Sequence, residues 1–263
     1  MDRRFTRHTL NGQERLNRHK AMLYFGAPNP EVTSITFDSI PEDKVIYDPQ
    51  NYNRDTVALW FDLAPEELPD TIKGVITYFK HDSINQLVES TDKLRLAWVK
   101  VETKEERKER EELEKERERA EKAGEEWVEP KKENPFKLTM ASSGEFHKHK
   151  SLAMEFDFPL TKFDSTLVTL KMTTDDNTEP QDVKFHFVQD TLNRRKYQLR
   201  VDWQPKAKYE LVMPAGVFEN VARESNDTIK YSYTGADPER FAIVNIDVKS
   251  TNPKARYILQ LTN

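Results

Sequence analysis

One stretch near the middle of the chain has no face with which to enter a core. Residues 103–126 read TKEERKEREELEKERERAEKAGEE; Leu113 is the one large apolar side chain, with Ala120 and Ala123 near the end. A helix docks through apolar residues at i, i+3, i+4 and i+7, and that stripe is missing. Yet Glu, Lys, Arg, Leu and Ala are strong helix formers. Glu106 and Arg110, Glu111 and Lys115, and Glu118 and Lys122 stand four apart with opposite charge. Each such pair adds a few tenths of a kcal/mol. Gly124 fits a stop, and Pro130 and Pro135 prevent resumption. The run predicts a solvated, projecting helix of about six turns that serves as a spacer and splits the chain in two. A coiled coil would need apolar a and d positions. A nucleic-acid arm would need a net basic charge, and here acids balance bases.

The flanking stretches carry the opposite signal. Residues 56–63 (TVALWFDL) place Val57, Leu59 and Phe61 at period two, and residues 92–101 do the same with Leu94, Leu96 and Trp98. Residues 21–25, 32–37, 45–47 and 73–79 complete the strand patterns of the first half. Residues 152–158, 166–172, 183–188, 197–203, 209–213 and 228–233 supply the second. Turn residues separate them, so the fold class is all-β.

The halves also repeat. Phe25-x-x-Pro28 matches Phe156-x-x-Pro159, and residues 59–65 (LWFDLAP) match residues 199–205 (LRVDWQP). Asn85-x-x-x-Glu89-Ser90 matches Asn220-x-x-x-Glu224-Ser225. These blocks keep their order at offsets of 131, 140 and 135 residues. Two homologous β-sandwiches of the immunoglobulin-like type follow, with the helix between them. The boundaries are 1–17, a linker or lead-in; 18–101, the first domain; 102–133, the charged insert; 134–235, the second domain; and 236–263, strands of a third unit cut short. Turn chemistry accounts for the matched residues: Pro28 and Pro159 end strands, Asp62 and Asp202 precede turns, and the Asn-x-x-x-Glu-Ser blocks form loops feeding a last strand.

On these residues the chain resembles a known family. The carriers are Met154-Glu155-Phe156-Asp157-Phe158-Pro159, Phe163-Asp164-Ser165-Thr166-Leu167, residues 183–192, and Trp203 with Tyr209-Glu210-Leu211; Gly216-Val217-Phe218, Asn220 and Asn226-Asp227-Thr228 complete the set. They resemble the SbsA-type bacterial Ig-like domain. The chain is similar to the middle and C-terminal part of Ig-like domain-containing lipoproteins of Bacteroidota. The resemblance implies a lipid-anchored protein of the cell envelope, in the periplasm or at the outer-membrane surface. It implies a non-enzymatic module for spacing, adhesion or assembly, or, alternatively, a glycan-binding accessory module using exposed aromatics. It carries no established activity. The first copy departs from the Asp-Phe-Pro form at Gly26-Ala27-Pro28, and no lipobox or signal is present.

No residue is assigned a catalytic, cofactor or metal role. Cysteine is absent, which excludes disulfides and thiol chemistry, and seven glycines leave no phosphate-binding loop. A formal net charge of −5 argues against nucleic acid and anionic membranes. No apolar stretch is long enough to span a bilayer. His147 and His149 share one face of an extended segment, but two histidines lack the further ligands of a zinc site. Asp175, Asp176, Asn177 and Glu179 lack EF-hand spacing and read as a polar turn. His186, between Phe185 and Phe187, faces solvent or a domain contact. Trp60, Trp98 and Trp203 read as packing residues, and Trp127 as an anchor for the helix end. Other envelope proteins or glycans are the expected partners, with no cofactor.

Overall fold

The computed structural model describes residues 7–99, 104–123, 127, 134–141, 143–148, 150–174, 179–240 and 247. It is built mostly of β-strands in several sheets, with one α-helix among the described residues.

The first half holds seven strands: β1 (Leu10–Arg15), β2 (Lys20–Phe25), β3 (Val32–Phe37), β4 (Val45–Pro49), β5 (Thr56–Phe61), β6 (Thr71–His81) and β7 (Leu87–Ala97). They form a sheet of order β1-β2-β5-β4 and another of order β3-β6-β7, with antiparallel neighbours throughout. Period-two alternation sends Leu23, Leu59 and Phe61 from one sheet, and Ile72, Ile76, Tyr78, Leu94 and Leu96 from the other, into a single buried cluster. Gly74 marks a close approach: a Cβ there would lie 2.3 Å from the Thr36 carbonyl oxygen.

The second half holds β8 (Leu138–Met140), β9 (Ser143–Phe146), β10 (Leu152–Phe156), β11 (Leu160–Phe163), β12 (Thr169–Thr173), β13 (Gln181–Asp182), β14 (Phe185–Gln189), β15 (Lys196–Val201), β16 (Lys208–Met213), β17 (Phe218–Asn220) and β18 (Ile229–Gly235). One sheet runs β14-β15-β10-β8 and the other β13-β12-β16-β18-β9, with β11 and β17 as a separate pair. Phe156 and Leu199 meet Leu170, Leu211, Tyr209, Tyr233 and Trp203 in the second core.

The strand orders of the two halves coincide. The series β1-β2-β5-β4 corresponds to β8-β10-β15-β14, and β3-β6-β7 to β12-β16-β18. The second half adds β9, parallel to β18, the short β13, and the β11–β17 pair. The correspondence reaches single bonds. The Phe25 N–H donates to Asp55 O at 2.7 Å, and the Phe156 N–H donates to Arg195 O at 3.0 Å.

Between the halves lies α1 (Lys104–Ala123). No side chain described on it is buried. Arg107 Nε donates to Glu111 at 3.0 Å and Glu118 stands 3.9 Å from Lys122, surface pairs of the kind worth under about 1 kcal/mol. The expected helical positions 103 and 124–126, and the Glu106 side chain, fall outside the described residues. Its length, 20 residues, corresponds to about 30 Å of helix.

Three expectations are corrected. Residues 10–15 are a strand and not a lead-in: β1 pairs with β2, and the Leu10 N–H donates to the Tyr78 hydroxyl at 2.8 Å. Arg15 anchors its end, donating from Nη1 to Pro69 O at 2.6 Å and from Nη2 to Arg18 O at 2.6 Å. Burial, then the Arg18 charge, lowers the Arg15 guanidinium to about 10. The block Glu89–Asp92 lies inside β7, because Tyr78 and Lys80 on the neighbouring strand hold Asp92 at 2.6 and 2.8 Å. Trp98 follows the end of β7; it is half-buried, with the Arg18 guanidinium 5.3 Å from its ring centroid. The third unit expected at 236–263 falls largely outside the described residues. Within it, Pro238–Arg240 form a short 3-10 turn. No described helix is long and apolar enough to cross a membrane.

Candidate functional site at the junction of the two units

Strands β2 (KAMLYF) and β5 (TVALWF) lie next to each other and break the alternation expected of a half-exposed sheet. Their odd-numbered side chains, Ala21, Leu23 and Phe25 of β2 and Val57, Leu59 and Phe61 of β5, enter the first core. Their other face carries Met22 and Tyr24 from β2 and Ala58 and Trp60 from β5, joined by Ile46 of β4. This face is covered by the second unit, whose Phe158 and Val221 complete the cluster. The Trp60 and Phe158 rings meet edge to face at 5.7 Å, a geometry favoured by the ring quadrupoles.

A fully buried carboxylate sits beside this apolar contact. Asp48 Oδ2 accepts from Trp60 Nε1 at 3.1 Å and from Gln50 Nε2 at 2.9 Å. Its Oδ1 accepts the backbone N–H of Arg194, from the second unit, at 3.1 Å. A buried charge is tolerated only with its acceptor sites filled, and here one of the three donors crosses the junction. Cations flank the indole: Lys20 Nζ lies 4.8 Å and the Arg195 guanidinium 5.9 Å from the Trp60 ring. Burial, then the charge of Arg195, lowers the Lys20 amine below its ordinary range.

The rim is ionic. Arg223 Nη2 contacts Asp62 Oδ1 at 2.9 Å, and Lys44 approaches Oδ2 at 3.4 Å. Asp62 therefore serves the junction, correcting its reading as a turn cap. Arg223 reaches it from a backbone with φ of 63°. The Val221 N–H donates to Pro159 O at 3.1 Å, fixing the loop that delivers both Val221 and Arg223.

His19 closes one edge. Its Nδ1 lies 3.1 Å from Phe61 O, and because a carbonyl only accepts, Nδ1 carries the proton. Its ring faces Phe158 at 6.0 Å. Burial first, with Arg15 and Arg18 nearby, lowers its pKa; the Phe61 carbonyl and Glu224 of the second unit oppose that shift. A folded pKa below the unfolded one means that the native state binds fewer protons. The His19 contribution is thus complete above the unfolded value of about 6.5 and is lost as pH falls through the folded value. His19→Gln is expected to flatten the fall in melting temperature below pH 6.5, read by calorimetry from pH 7.5 to 4.5. An unchanged slope contradicts this.

The other residues weighed in the sequence lie elsewhere. His147 is exposed after β9, and His186 is exposed on β14. His149 and residues 175–177 fall outside the described residues, and Glu179 is exposed. Among the described residues, no group of three or more His, Cys, Asp or Glu side chains is placed to hold a metal ion. Trp203 is buried in the second core, its Nε1 donating to Lys150 O at 2.8 Å. Trp127 is half-buried.

Sequence reasoning assigned Trp60 to packing but missed Asp48, Phe158, Val221 and Arg223 as a junction. The available signal was the unbroken apolar run of β5 beside that of β2: a strand buried on both faces reads as continuous hydrophobicity. Chemically, the arrangement joins two β units. No protein-family model matches the chain, and no curated protein matches it.

Proposed function

We propose that this chain is a non-enzymatic, tandem Ig-like module of the cell envelope, serving spacing, adhesion or assembly. The observation that carries the reading is the buried junction. It fixes one β unit against the other through an apolar contact, a filled carboxylate and an ionic rim. A chain whose most elaborate polar arrangement serves to hold two modules in register is suited to presenting surfaces at a set geometry.

Support for the Ig-like description comes from topology. Lettered A to G along the chain, the first unit has sheets A-B-E-D and C-F-G, the order of a constant-type immunoglobulin domain. In the second unit, the Gln204 N–H donates to the Tyr209 hydroxyl at 2.6 Å, five residues upstream of the tyrosine at the start of the F-equivalent strand. That is the bond of a tyrosine corner. Placement in the envelope rests on the sequence resemblance alone.

The helix takes a smaller part than a spacer. The units touch directly, so their separation does not depend on α1, which reads as a charged excursion from the connection.

The test is biochemical. Purified chain is offered ester, glycoside, peptide and phosphomonoester substrates, then dialysed and analysed for metals. The expected result is turnover no greater than buffer and no stoichiometric transition metal. Turnover removed by a single substitution, or one equivalent of zinc retained after dialysis, overturns the reading.

A further inference from the structure

His19 belongs to the first unit and is covered by the second. Its backbone is tied on both sides: the His19 N–H donates to Asn17 Oδ1 at 2.9 Å, and its carbonyl accepts the Phe61 N–H at 2.9 Å. With the Nδ1 proton committed to the Phe61 carbonyl, Nε2 is the nitrogen left to take up a second one. The residue is 5% exposed, and the ring that faces it edge-on, Phe158, comes from the second unit. Phe158 packs in the junction cluster, so this cover is lost when the units separate.

The charges around the imidazole are held in place. On the first unit's side, Arg15 donates to the Pro69, Asp70 and Arg18 carbonyls, and Arg18 donates to the Leu68 carbonyl at 2.8 Å. The Asp70 carboxylate, 3.5 Å from Arg18, is largely in solvent. On the second unit's side, Glu224 is the acid that acts on His19, and its carboxylate accepts from Asn220 Nδ2 at 2.8 Å. Arg223, Asp62 and Lys44 continue along the rim. A charge on the imidazole therefore lies under an apolar ring, near two guanidinium groups pinned to backbone carbonyls, with Glu224 as the opposing carboxylate from the second unit. Buried charge is costly, and water reaches this one by removal of the cover, since the first unit's side is fixed by backbone bonds.

We infer that the junction is a pH-gated contact: protonation of His19 at Nε2 drives the second unit off the first while both β units stay folded. In the closed chain, burial holds the imidazole below its ordinary range. In the opened chain His19 is solvated and returns toward the ordinary value of about 6.5. The open form binds the proton better, so the open-to-closed ratio rises as pH falls below about 6.5 and levels off below the closed-state value. The energy lost is that of the contact between the units and not of either core. The gate rests on the junction geometry and holds whatever compartment the chain occupies.

Single-cysteine chains read the gate, since the protein has no cysteine of its own. Ala58→Cys places a thiol in the junction cluster and Ala21→Cys places one in the first core; both positions are 0% exposed. The rate of thiol exchange with dithiodipyridine is followed from pH 7.5 to 5.0 and divided by that of Lys93→Cys, an exposed position. On this scale the Ala58→Cys thiol is expected to become at least threefold more reactive at pH 5.0, and the Ala21→Cys thiol to hold constant. Adding His19→Gln to Ala58→Cys is expected to abolish the rise. Circular dichroism checks that the sheets persist. Where His19→Gln does not fold, the His19 ring is titrated by NMR in the parent and in Trp60→Ala, whose junction is weakened; the midpoint is expected to be higher in the variant. An Ala58→Cys thiol indifferent to pH overturns the inference, as does an equal rise at Ala21→Cys, which means that acid unfolds the unit. A rise that survives His19→Gln, or one His19 midpoint shared by parent and Trp60→Ala, overturns it as well.

Discussion

Trp60→Ala is expected to remove about 3–5 kcal/mol from the coupling of the two units, the cost of deleting a large buried aromatic side chain. The loss has two parts. The indole fills the centre of the junction cluster against Phe158, and its removal leaves a cavity between the units. Its Nε1–H also fills one acceptor site of the buried Asp48 carboxylate. An unfilled site on a buried charge costs about 1–3 kcal/mol. The first core loses nothing directly, because Trp60 points away from it while Leu59 and Phe61 point in. Calorimetry is therefore expected to show one cooperative transition in the parent and two in the variant. A single transition in the variant, shifted by less than about 1 kcal/mol, would mean that the junction contributes little.

Gly235→Ala is expected to be the most damaging single methyl in the second unit. A Cβ at Gly235 would lie 1.7 Å from the Gln204 carbonyl oxygen, 2.8 Å from its carbon and 3.2 Å from the Lys206 nitrogen. All three are backbone atoms, so no side-chain rotation relieves the clash. The segment they belong to is pinned. The Lys206 N–H donates to Gly235 O at 2.8 Å, and the Gly235 N–H donates to Ala207 O at 2.8 Å. The Gln204 N–H is held by the Tyr209 hydroxyl. Overpacking costs about 1–3 kcal/mol where side chains can yield, and more where they cannot. A loss of about 3 kcal/mol or more follows, lowering the melting temperature of the second unit by about 10 °C or more. Amide hydrogen exchange read separately for β16 and β7 is the check. Equal protection of β16 in parent and variant would show that the segment shifts freely.

The strand framework was legible because its cause is local. Alternation in TLKMT and KYELVM is the pattern of sheets buried on one side, and both segments became strands. The charged helix was legible for the opposite reason: nothing in it competes with helix propensity. β1 was not legible, since LNGQER has no apolar alternation to read. It is held by partners distant in sequence: Tyr78, the Pro69 carbonyl, and Lys93 and Arg95 of β7, whose backbones meet the Gln13 side chain at 3.3 and 3.0 Å. The junction was half legible. Residues 57–61 announced burial on both faces, yet the covering residues follow from three-dimensional proximity; no local pattern distinguishes Phe158 or Val221 from ordinary loop residues. Asp62 illustrates the point. Turn chemistry explained it sufficiently in the sequence, and the partner that claims it, Arg223, lies 161 positions away.

The central claim is that direct contact, and not the helix, sets the arrangement of the two units. The chain has no cysteine, so spin labels can be placed without background. Lys93→Cys on β7 and Arg200→Cys on β15 put one label on an exposed position of each unit. The decisive measurement is the inter-label distance distribution by pulsed dipolar spectroscopy, in the parent and in a chain whose residues 104–123 are replaced by a Gly/Ser linker. The account predicts one narrow distribution, the same in both. A distribution that broadens or moves when the helix is replaced would contradict it.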